Sequence, residues 1–473
     1  MFLSVIIDIE SLRINPRLGT NSKVPISQGV NARGFEVDVE EFLKRDVNRR
    51  QFLDRSARNA AGMAAGVVGL ASNLARAESS PGERVVLAGI GVRGQGKFLT
   101  SSMAEFPDVR FKTICDVDES VAPAAVKSIE KGQGVAPAFV TDFRRVLDDP
   151  EIDGVVIATP DHWHALMAIM ACQAGKDVYV EKPVSHNLNE GLAMIEAARK
   201  YQRVVQSGIH QRSGSHFQSA VDFVQSGKLG EVKLAKAWII HRRKPIGKKK
   251  NTTVPAGVNY DLWLGPAASR PFNPNRFHYN WHWFWDYGTG EMGNWGVHML
   301  DIARWGLGVD LPERISASGG KYFFNDDQET PDTQVVQYNY PDKTIVWEHR
   351  LWSTHGMEGR NAAAAFYGDK GTLVVDRGGW KVYDQKDAAT SGTSDQATTH
   401  HRNFIDCIKS RKTPTSDIEI GHVSSALCHL GNVAFRAGQE IRFDTRLNQI
   451  IENEQANALL CREYRADWEL PQV

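Results

Sequence analysis

A β-branched run joined directly to a glycine fingerprint is the feature that most constrains this chain. Residues 84–88 read Arg-Val-Val-Leu-Ala, which is typical of a buried parallel strand. The next six residues form GxGxxG ahead of a helical stretch that ends near Glu105. Glycines in this pattern permit a tight turn, close approach of a pyrophosphate and helix packing, and the helix N-terminus then faces the phosphates. The pattern predicts a dinucleotide cofactor contacted by Gly89, Gly91, Val92, Arg93 and Gly94.

The second strand supports the same interpretation. Residues 109–115 form another β-branched run, and it ends in Asp116, 25 residues after Gly91. An acidic residue at this place accepts hydrogen bonds from the adenosine ribose. Its charge would repel a 2′-phosphate, so the sequence favours NAD and makes NADP the less favoured cofactor. The alternative is that Asp116 only caps a helix predicted over residues 118–127.

Strands and helices keep alternating as far as Ser207. Strands are predicted over 153–159, 177–180 and 203–207, with helices over 161–174 and 189–201. This order predicts an α/β fold whose first domain, residues 83–207, is a Rossmann-type doubly wound parallel sheet. Ligands of such sheets lie beyond the carboxyl ends of the strands. Further cofactor contacts are therefore expected from Thr159, Pro160, His164, Glu181, Lys182 and Gln211.

The alternation of strands and helices stops after residue 207. A helix is predicted over 217–226, and the strand-like runs that follow are separated by turns, at 232–241, 334–340, 344–351, 363–367 and 372–375. They predict a second, α+β domain over residues 208–443 with an open, mainly antiparallel sheet. Residues 386–399 are interpreted as a surface loop because of their polar composition. Residues 444–473 are interpreted as a C-terminal tail.

Three motifs together resemble a known family. The fingerprint, the Ala-Thr-Pro-x-x-x-His segment ending at His164, and above all Glu181-Lys182-Pro183 are similar to the Gfo/Idh/MocA oxidoreductases, over about residues 84–443. The resemblance implies that Lys182 contacts both cofactor and substrate, and that His164 lies near the nicotinamide ribose. An ammonium there can hydrogen-bond the oxygen on the carbon that loses hydride. A plain surface lysine and a histidine that only begins a helix are the alternatives.

A second part of the resemblance lies in the later domain. Residues 288–301 resemble the family's glycine-rich entry to an Asp-x-x-x-His pair on a helix that starts near Glu291, with Asn294 where Asp is commonest. Four residues later comes His298, on the same face of a helix. The resemblance implies that His298 is the general acid or base for the substrate hydroxyl. Asn294 removes a carboxylate that could hold an imidazolium, and a histidine satisfied by its neighbours is the alternative. Lys182, Asn294 and His298 are thus the predicted catalytic residues.

Three other segments leave their interpretation open. Residues 281–287 contain five aromatic rings, which could stack on a sugar face or form a buried strand. Residues 242–250 carry six positive charges, which could bind an acidic sugar but are more typical of a solvated loop. The remaining candidates for a metal site are His278, His282, Glu291, His298 and Asp301. They have no recognised ligand spacing, so no catalytic metal is predicted.

The first 77 residues are interpreted as an N-terminal extension with an export signal. Arg49 and Arg50 precede Phe-Leu, a weakly apolar Ala/Gly-rich run covers residues 60–75, and Ala75-Arg76-Ala77 is a small-x-small site. The order resembles a twin-arginine signal, which predicts export of the folded protein and a periplasmic location. An amphipathic helix with a chance Arg pair is the alternative.

Charge and composition restrict the function further. The chain has 56 basic and 56 acidic side chains, so no net field attracts nucleic acid. No uncharged apolar stretch reaches the roughly 20 residues of a membrane-spanning helix. We therefore expect an NAD-dependent dehydrogenase of a secondary hydroxyl in a sugar, polyol or related carbohydrate. An NAD-dependent glycoside hydrolase or lyase that oxidises its substrate transiently, and a cofactor-binding protein without turnover, are the alternatives. The family resemblance implies a homo-oligomer.

Overall fold

The computed structural model describes residues 84–385, 389–465 and 467–473. The predicted twin-arginine signal and extension, residues 1–77, lie outside the described residues. Across the described ranges, none of the helices combines the length and the apolar character needed to cross a bilayer.

The first domain is built on a six-stranded parallel sheet, as predicted. Its strands follow the order β3-β2-β1-β4-β5-β6, which is the doubly wound order of dinucleotide-binding domains. Helices cover both faces, so central residues such as Val155 and Val178 are fully buried, and the central strand over residues 154–157 is apolar throughout. The strands are β1 (Val85–Ile90), β2 (Val109–Cys115), β3 (Ala138–Val140), β4 (Gly154–Ile157), β5 (Asp177–Val180) and β6 (Val205–Ser207).

The crossover helices begin where the sequence offers caps. Asn187 accepts a hydrogen bond from the Glu190 N–H at 3.0 Å and starts the fifth helix. Asp118 accepts from the Ser120 N–H at 3.0 Å and starts a 3₁₀ turn before the second helix. Asp116 is therefore not the cap, and that alternative is wrong. The helices are α1 (Gly94–Met103), α2 (Ala122–Gln133), α3 (Arg144–Leu147), α4 (Asp161–Gln173) and α5 (Leu188–Lys200).

The second domain contains a ten-stranded sheet, ordered β14-β13-β12-β11-β7-β10-β9-β8-β15-β16. Only the β7–β10 pair among these described strands is parallel, so the predicted open, mainly antiparallel sheet is confirmed. The strands are β7 (Val232–Ile240), β8 (Arg314–Gly320), β9 (Thr333–Asn339), β10 (Thr344–Arg350), β11 (Ala362–Gly368), β12 (Gly371–Asp376), β13 (Gly379–Tyr383), β14 (Thr390–Gly392), β15 (Ile441–Asp444) and β16 (Gln449–Ile451).

Helices cover one face of this sheet; the other face is open along β9 and carries a smaller buried cluster on β7, β11 and β12, which includes Trp238 and Ala365. Phe217, Met299 and Leu427, from three different helices, share one buried core with the inward side chains of the strands. Along β9 the side chains alternate between buried Val336 and exposed Val335, which is the pattern of a sheet covered on one side. The helices are α6 (Ser215–Gln225), α7 (Tyr260–Leu264), α8 (Val297–Leu307), α9 (Gln396–Ser410), α10 (Ile418–Ala437) and α11 (Glu454–Ala458).

The C-terminal third differs from the sequence interpretation in two ways. The surface loop predicted over 386–399 is wrong over most of its described residues, because residues 390–392 pair with β13 and α9 begins at Gln396. The segment interpreted as a tail adds β16 to the sheet and then returns to the first domain, where Trp468 packs against Trp163 with ring centroids 4.9 Å apart. Phe404 of α9 also lies in the core of the first domain. The C-terminal segments thus hold the two domains together.

Candidate functional site

A cavity of about 470 Å³ lies at the carboxyl edge of the parallel sheet, where the second domain adjoins it. The strand order places Asp116, after β2, on one side of β1, and Lys182, after β5, on the other. Eleven of the predicted site residues line this cavity: Gly91, Arg93, Gly94, Asp116, Thr159, Pro160, His164, Glu181, Lys182, Asn294 and His298. Gly89, Val92 and Gln211 do not line the cavity.

The glycine loop has the shape that a pyrophosphate needs. Gly91 has φ +79°, and a Cβ there would lie 2.8 Å from the Ala158 carbonyl oxygen. Gly94 faces open space, with nothing within 4 Å of a Cβ. The tight helix contact is made by Gly96, whose Cβ would collide with the Gly91 carbonyl. Sequence reasoning missed Gly96, although the extra glycine is visible two residues after the motif. The loop leaves the N-terminus of α1 uncovered for an anion.

Asp116 is oriented by the glycine loop itself. Its carboxylate accepts hydrogen bonds from the Val92 N–H at 2.8 Å and the Asp118 N–H at 3.1 Å. Burial raises the pKa of Asp116 to about 6, so the group is largely ionised at neutral pH. An ionised acceptor at the cavity wall fits ribose hydroxyls and disfavours a 2′-phosphate. The cavity residues therefore fit NAD.

Lys182 extends between the two domains. Its Nζ donates to the backbone oxygen of Asn294 at 2.9 Å and lies 3.4 Å from the Asn294 Oδ1. Burial lowers the pKa of Lys182, and the neighbouring Glu181 charge opposes that shift. Glu181 in turn accepts from the Gln95 Nε2 at 3.1 Å. The ammonium is thus held in place by a neutral amide group and is not paired with a carboxylate within hydrogen-bond distance among the described residues.

The Asn294 segment is a π-helical turn, Met292–Gly296, that leads into α8. Such turns occur frequently at functional sites. The Asn294 Nδ2 donates to Glu291 at 3.3 Å, and Arg243 donates to both oxygens of Glu291 at 3.1 and 3.0 Å. This chain of contacts aims the Asn294 carbonyl at Lys182. Arg243 comes from the basic segment 242–250, which is otherwise irregular and exposed.

His298 lies on the cavity wall beside Asn294, as predicted. Burial lowers its pKa well below the usual histidine value, and the nearby Arg377 and Lys182 charges lower it further. The imidazole is therefore neutral at physiological pH, and the same burial and charges oppose its protonation. Its Nδ1 is buried without a hydrogen-bond partner among the described residues.

His164 joins two of the predicted cofactor segments. Its ring nitrogens lie 2.7 Å from the Pro183 oxygen and 2.9 Å from the Thr159 oxygen. Burial lowers the pKa of His164 to about 4. The side chain links the strand ends of β4 and β5, so it fixes the position of Lys182.

Two cavity residues were missed by sequence reasoning. His210 follows β6 and stacks edge-on against His298 with ring centroids 5.1 Å apart. Arg377 comes from the turn between β12 and β13 and lies over the Trp295 ring at 4.5 Å. Gln211, predicted at the cofactor, is instead placed behind Arg377 and accepts from its Nε at 3.4 Å. His210 directly precedes Gln211, which was predicted at the cofactor; nothing in the sequence singled out Arg377.

The aromatic segment 281–287 is not a strand. It enters through a 3₁₀ turn, His278–Trp283, so the buried-strand alternative is wrong. Trp283, Phe284 and Tyr287 are buried in a separate aromatic core. Trp281 and His282 stack with centroids 3.6 Å apart and line the cavity.

The two carboxylates among the candidate metal ligands each form an ion pair with an arginine. Asp301 accepts from Arg212 at 2.8 Å through both oxygens, and Glu291 is paired with Arg243. Within the part of the chain that the structure describes, no group of three or more His, Cys, Asp or Glu side chains is arranged to hold a metal ion.

The cavity combines a glycine loop and an aspartate at the edge of a Rossmann sheet with a lysine and a neutral histidine. This combination defines a nicotinamide-dependent oxidoreductase. Family comparison agrees: residues 83–209 match the NAD-binding Rossmann fold of the Gfo/Idh/MocA oxidoreductase family, and residues 238–470 match its C-terminal alpha/beta domain. The chain belongs to this family.

Individual relatives extend this result. The chain is 30% identical over 297 residues to an uncharacterized oxidoreductase, YrbE, of Bacillus subtilis, covering 62% of this chain and 74% of that protein. It is also 30% identical over 213 residues to an alpha-N-acetylgalactosaminidase of Shewanella oneidensis, covering 41% of this chain and 46% of that protein, which is less than half the relative's length. The fold is similar to that of levoglucosan dehydrogenase in complex with NADH and levoglucosan, with TM-score 0.60, 18% identity, and 76% and 99% of the two chains covered.

Proposed function

We propose that this protein oxidises a secondary hydroxyl of a sugar, polyol or related carbohydrate. The observation that carries the proposal is the meeting of Lys182 and His298 at one cavity with the glycine cradle. NAD, when bound, supplies the hydride acceptor. The residues that would hold it are those of the glycine loop and Asp116, whose shape and charge fit it.

The chain's own residues divide the remaining work. The Lys182 ammonium donates a hydrogen bond to the substrate oxygen and stabilises it as negative charge grows. His298, neutral in this surrounding, takes the hydroxyl proton at a ring nitrogen. Asn294 holds Lys182 in position, and Trp281 offers a flat apolar surface for the C–H face of a sugar.

The test is turnover against cofactor binding. With excess NAD and a panel of aldoses, polyols and uronates, wild-type protein should accumulate reduced nicotinamide, read by absorbance. Lys182→Ala should bind NAD with nearly unchanged affinity while turnover falls by roughly 100-fold, the scale of losing an oxyanion donor. Lys233→Ala, on the exposed end of β7, is the control and should behave as wild type. Unchanged turnover in Lys182→Ala would remove the lysine from the mechanism.

A second candidate is a glycoside hydrolase that retains NAD and oxidises its substrate transiently. The similarity to an alpha-N-acetylgalactosaminidase favours it. The two candidates differ in stoichiometry, so a nitrophenyl N-acetyl-α-galactosaminide with excess NAD separates them. A dehydrogenase forms reduced nicotinamide; the hydrolase releases nitrophenol without it. Binding of NAD with neither product, for this glycoside and for every carbohydrate of the panel, would indicate a protein without turnover.

We also propose export through the twin-arginine pathway and assembly into a homo-oligomer. Export rests on the Arg49-Arg50 pair and the Ala75-Arg76-Ala77 site in the sequence. Mass spectrometry of the periplasmic protein should give an N-terminus at residue 78, and an Arg49→Lys/Arg50→Lys variant should stay in the cytoplasm. Assembly is supported by the open sheet face, and light scattering measures it; a monomer would contradict it.

A further inference from the structure

Arg377 is a charged side chain at the cavity to which the proposed reaction assigns no role. It lines the same cavity as Lys182 and His298, and its guanidinium carbon lies over the Trp295 ring, 4.5 Å from the centroid. Its side-chain hydrogen bond within the described residues is a long one, 3.4 Å from Nε to Gln211. It forms no ion pair with a carboxylate of the described chain. A guanidinium presents five N–H donors, and most of those on Arg377 form no hydrogen bond to the described residues.

The turn that carries Arg377 is fixed on both sides. Residues 377–378 form a two-residue connection between β12 and β13, whose ends pair at Asp376 and Gly379. The Asp376 carboxylate accepts from the Gly378 N–H at 2.8 Å and is paired with Arg360. The Arg377 carbonyl accepts from the Thr393 hydroxyl at 2.9 Å. The guanidinium is therefore held by a braced hairpin, and a pre-placed donor binds a ligand at lower entropic cost.

The charges around Arg377 offset its own only in part, because the Glu181 carboxyl acts on both Arg377 and Lys182. Lys182, the other cation at this end, is positioned by an uncharged amide. The acid groups nearby are Asp161, whose pKa is raised to about 8 by burial, and Glu181, whose pKa is also raised by burial. Asp161 is therefore mainly protonated at neutral pH, and Glu181 already accepts from Gln95 and from the Lys182 N–H. This end of the cavity has an excess of positive charge.

We propose that Arg377 binds a carboxylate of the substrate, so that the protein acts on an acidic carbohydrate, a uronate. The inference rests on the proposed function for the reacting hydroxyl and adds the substrate class. A planar fork of donors matches a carboxylate in a bidentate arrangement. With Lys182 engaged on the substrate oxygen, one guanidinium remains, which balances one negative charge; a phosphate dianion would leave charge uncompensated.

The experiment measures binding separately from turnover. Protein loaded with NADH is titrated calorimetrically with the methyl glycosides of glucuronate and galacturonate, each beside its uncharged methyl ester. At least one acid should bind roughly 10- to 100-fold more tightly than its ester, the scale of a charge-assisted hydrogen bond. Arg377→Gln should remove that preference while the ester binds as before. Arg377→Lys, which keeps the charge and loses the fork, should fall between them.

Controls distinguish the ways in which this could fail. Arg314→Gln, an exposed residue of β8, should keep the full preference for the acid. The inference is overturned if the acids bind no more tightly than their esters, or if the preference persists in Arg377→Gln. It is also overturned if Arg377→Gln weakens NADH binding as much as acid binding, because Arg377 would then serve the cofactor. If Arg377-dependent binding is found but NAD is never reduced, the proposed dehydrogenase function fails and the acid site stands.

Discussion

Replacing Asp161 by asparagine should change how the stability of this protein depends on pH. Asp161 begins α4 and is buried; its Oδ2 accepts from the Thr289 hydroxyl at 2.8 Å, and its Oδ1 has no partner among the described residues. Burial raises the pKa of Asp161 from 3.8 to about 8. An asparagine has similar size and can still accept from Thr289, but it has no proton to lose.

The sign and size follow from proton linkage. Between about pH 4 and pH 8 the unfolded carboxyl is ionised while the native one keeps its proton. The unfolded state then binds fewer protons, so the free energy of unfolding falls as pH rises, by about 1.4 kcal/mol per pH unit. From pH 5 to pH 7 this amounts to about 2.7 kcal/mol. Relative to wild type, the free energy of unfolding of Asp161→Asn should therefore rise by that amount from pH 5 to pH 7.

The assay is urea unfolding of both proteins without cofactor at pH 5 and pH 7. Asp142→Asn is the matched control: Arg144 holds the pKa of Asp142 below its usual value, so its stabilising contribution is complete by pH 5. That variant should differ from wild type by the same free energy at both pH values. If Asp161→Asn behaves like this control, Asp161 is ionised in the native protein and the reasoning about its burial is wrong.

Three further substitutions test other parts of the structure. Gly96→Ala places a Cβ against the Gly91 carbonyl, so NAD affinity measured by fluorescence should fall at least tenfold, and unchanged affinity would contradict the packing role. Arg212→Met removes the bidentate partner of the buried Asp301 and leaves it the longer Arg304 contact, 3.6 Å, and the Ser424 hydroxyl. It should lower the free energy of unfolding by about 3 kcal/mol; a loss under about 1 kcal/mol in urea unfolding would contradict this. Asn294→Asp should shift the pH profile of turnover to higher pH, because a carboxylate stabilises charged imidazole and ammonium groups; an unshifted profile would show that residue 294 does not influence them.

Much of the parallel-sheet half of the site could be predicted, for a physical reason. Strands covered on both faces are mainly apolar, so polar residues that follow them mark their ends. Asp116, Thr159 and Lys182 stand at three such ends, and the sheet order brings them to one edge. The prediction depended on local pattern plus one topological rule.

The other half of the site depends on contacts that leave no local pattern. Arg377 is brought to the cavity by a hairpin 195 positions after Lys182, and neither the turn nor β13 was recognised in the sequence. Gln211 was placed at the cofactor because it follows β6, yet it does not line the cavity and accepts a hydrogen bond from Arg377, which does. A surface-like arginine in a glycine-rich turn acquires its role only through the packing of the second sheet.

The amide at position 294 is consistent with this distribution of charge. A carboxylate there would face Lys182 at about the distance of the present Oδ1, 3.4 Å, and would offset its charge. The chain instead keeps its carboxylate one turn earlier, at Glu291, where Arg243 neutralises it. Lys182 and Arg377 then face the cavity without a charged partner in hydrogen-bond range among the described residues. This distribution of charge is consistent with the acidic substrate proposed above.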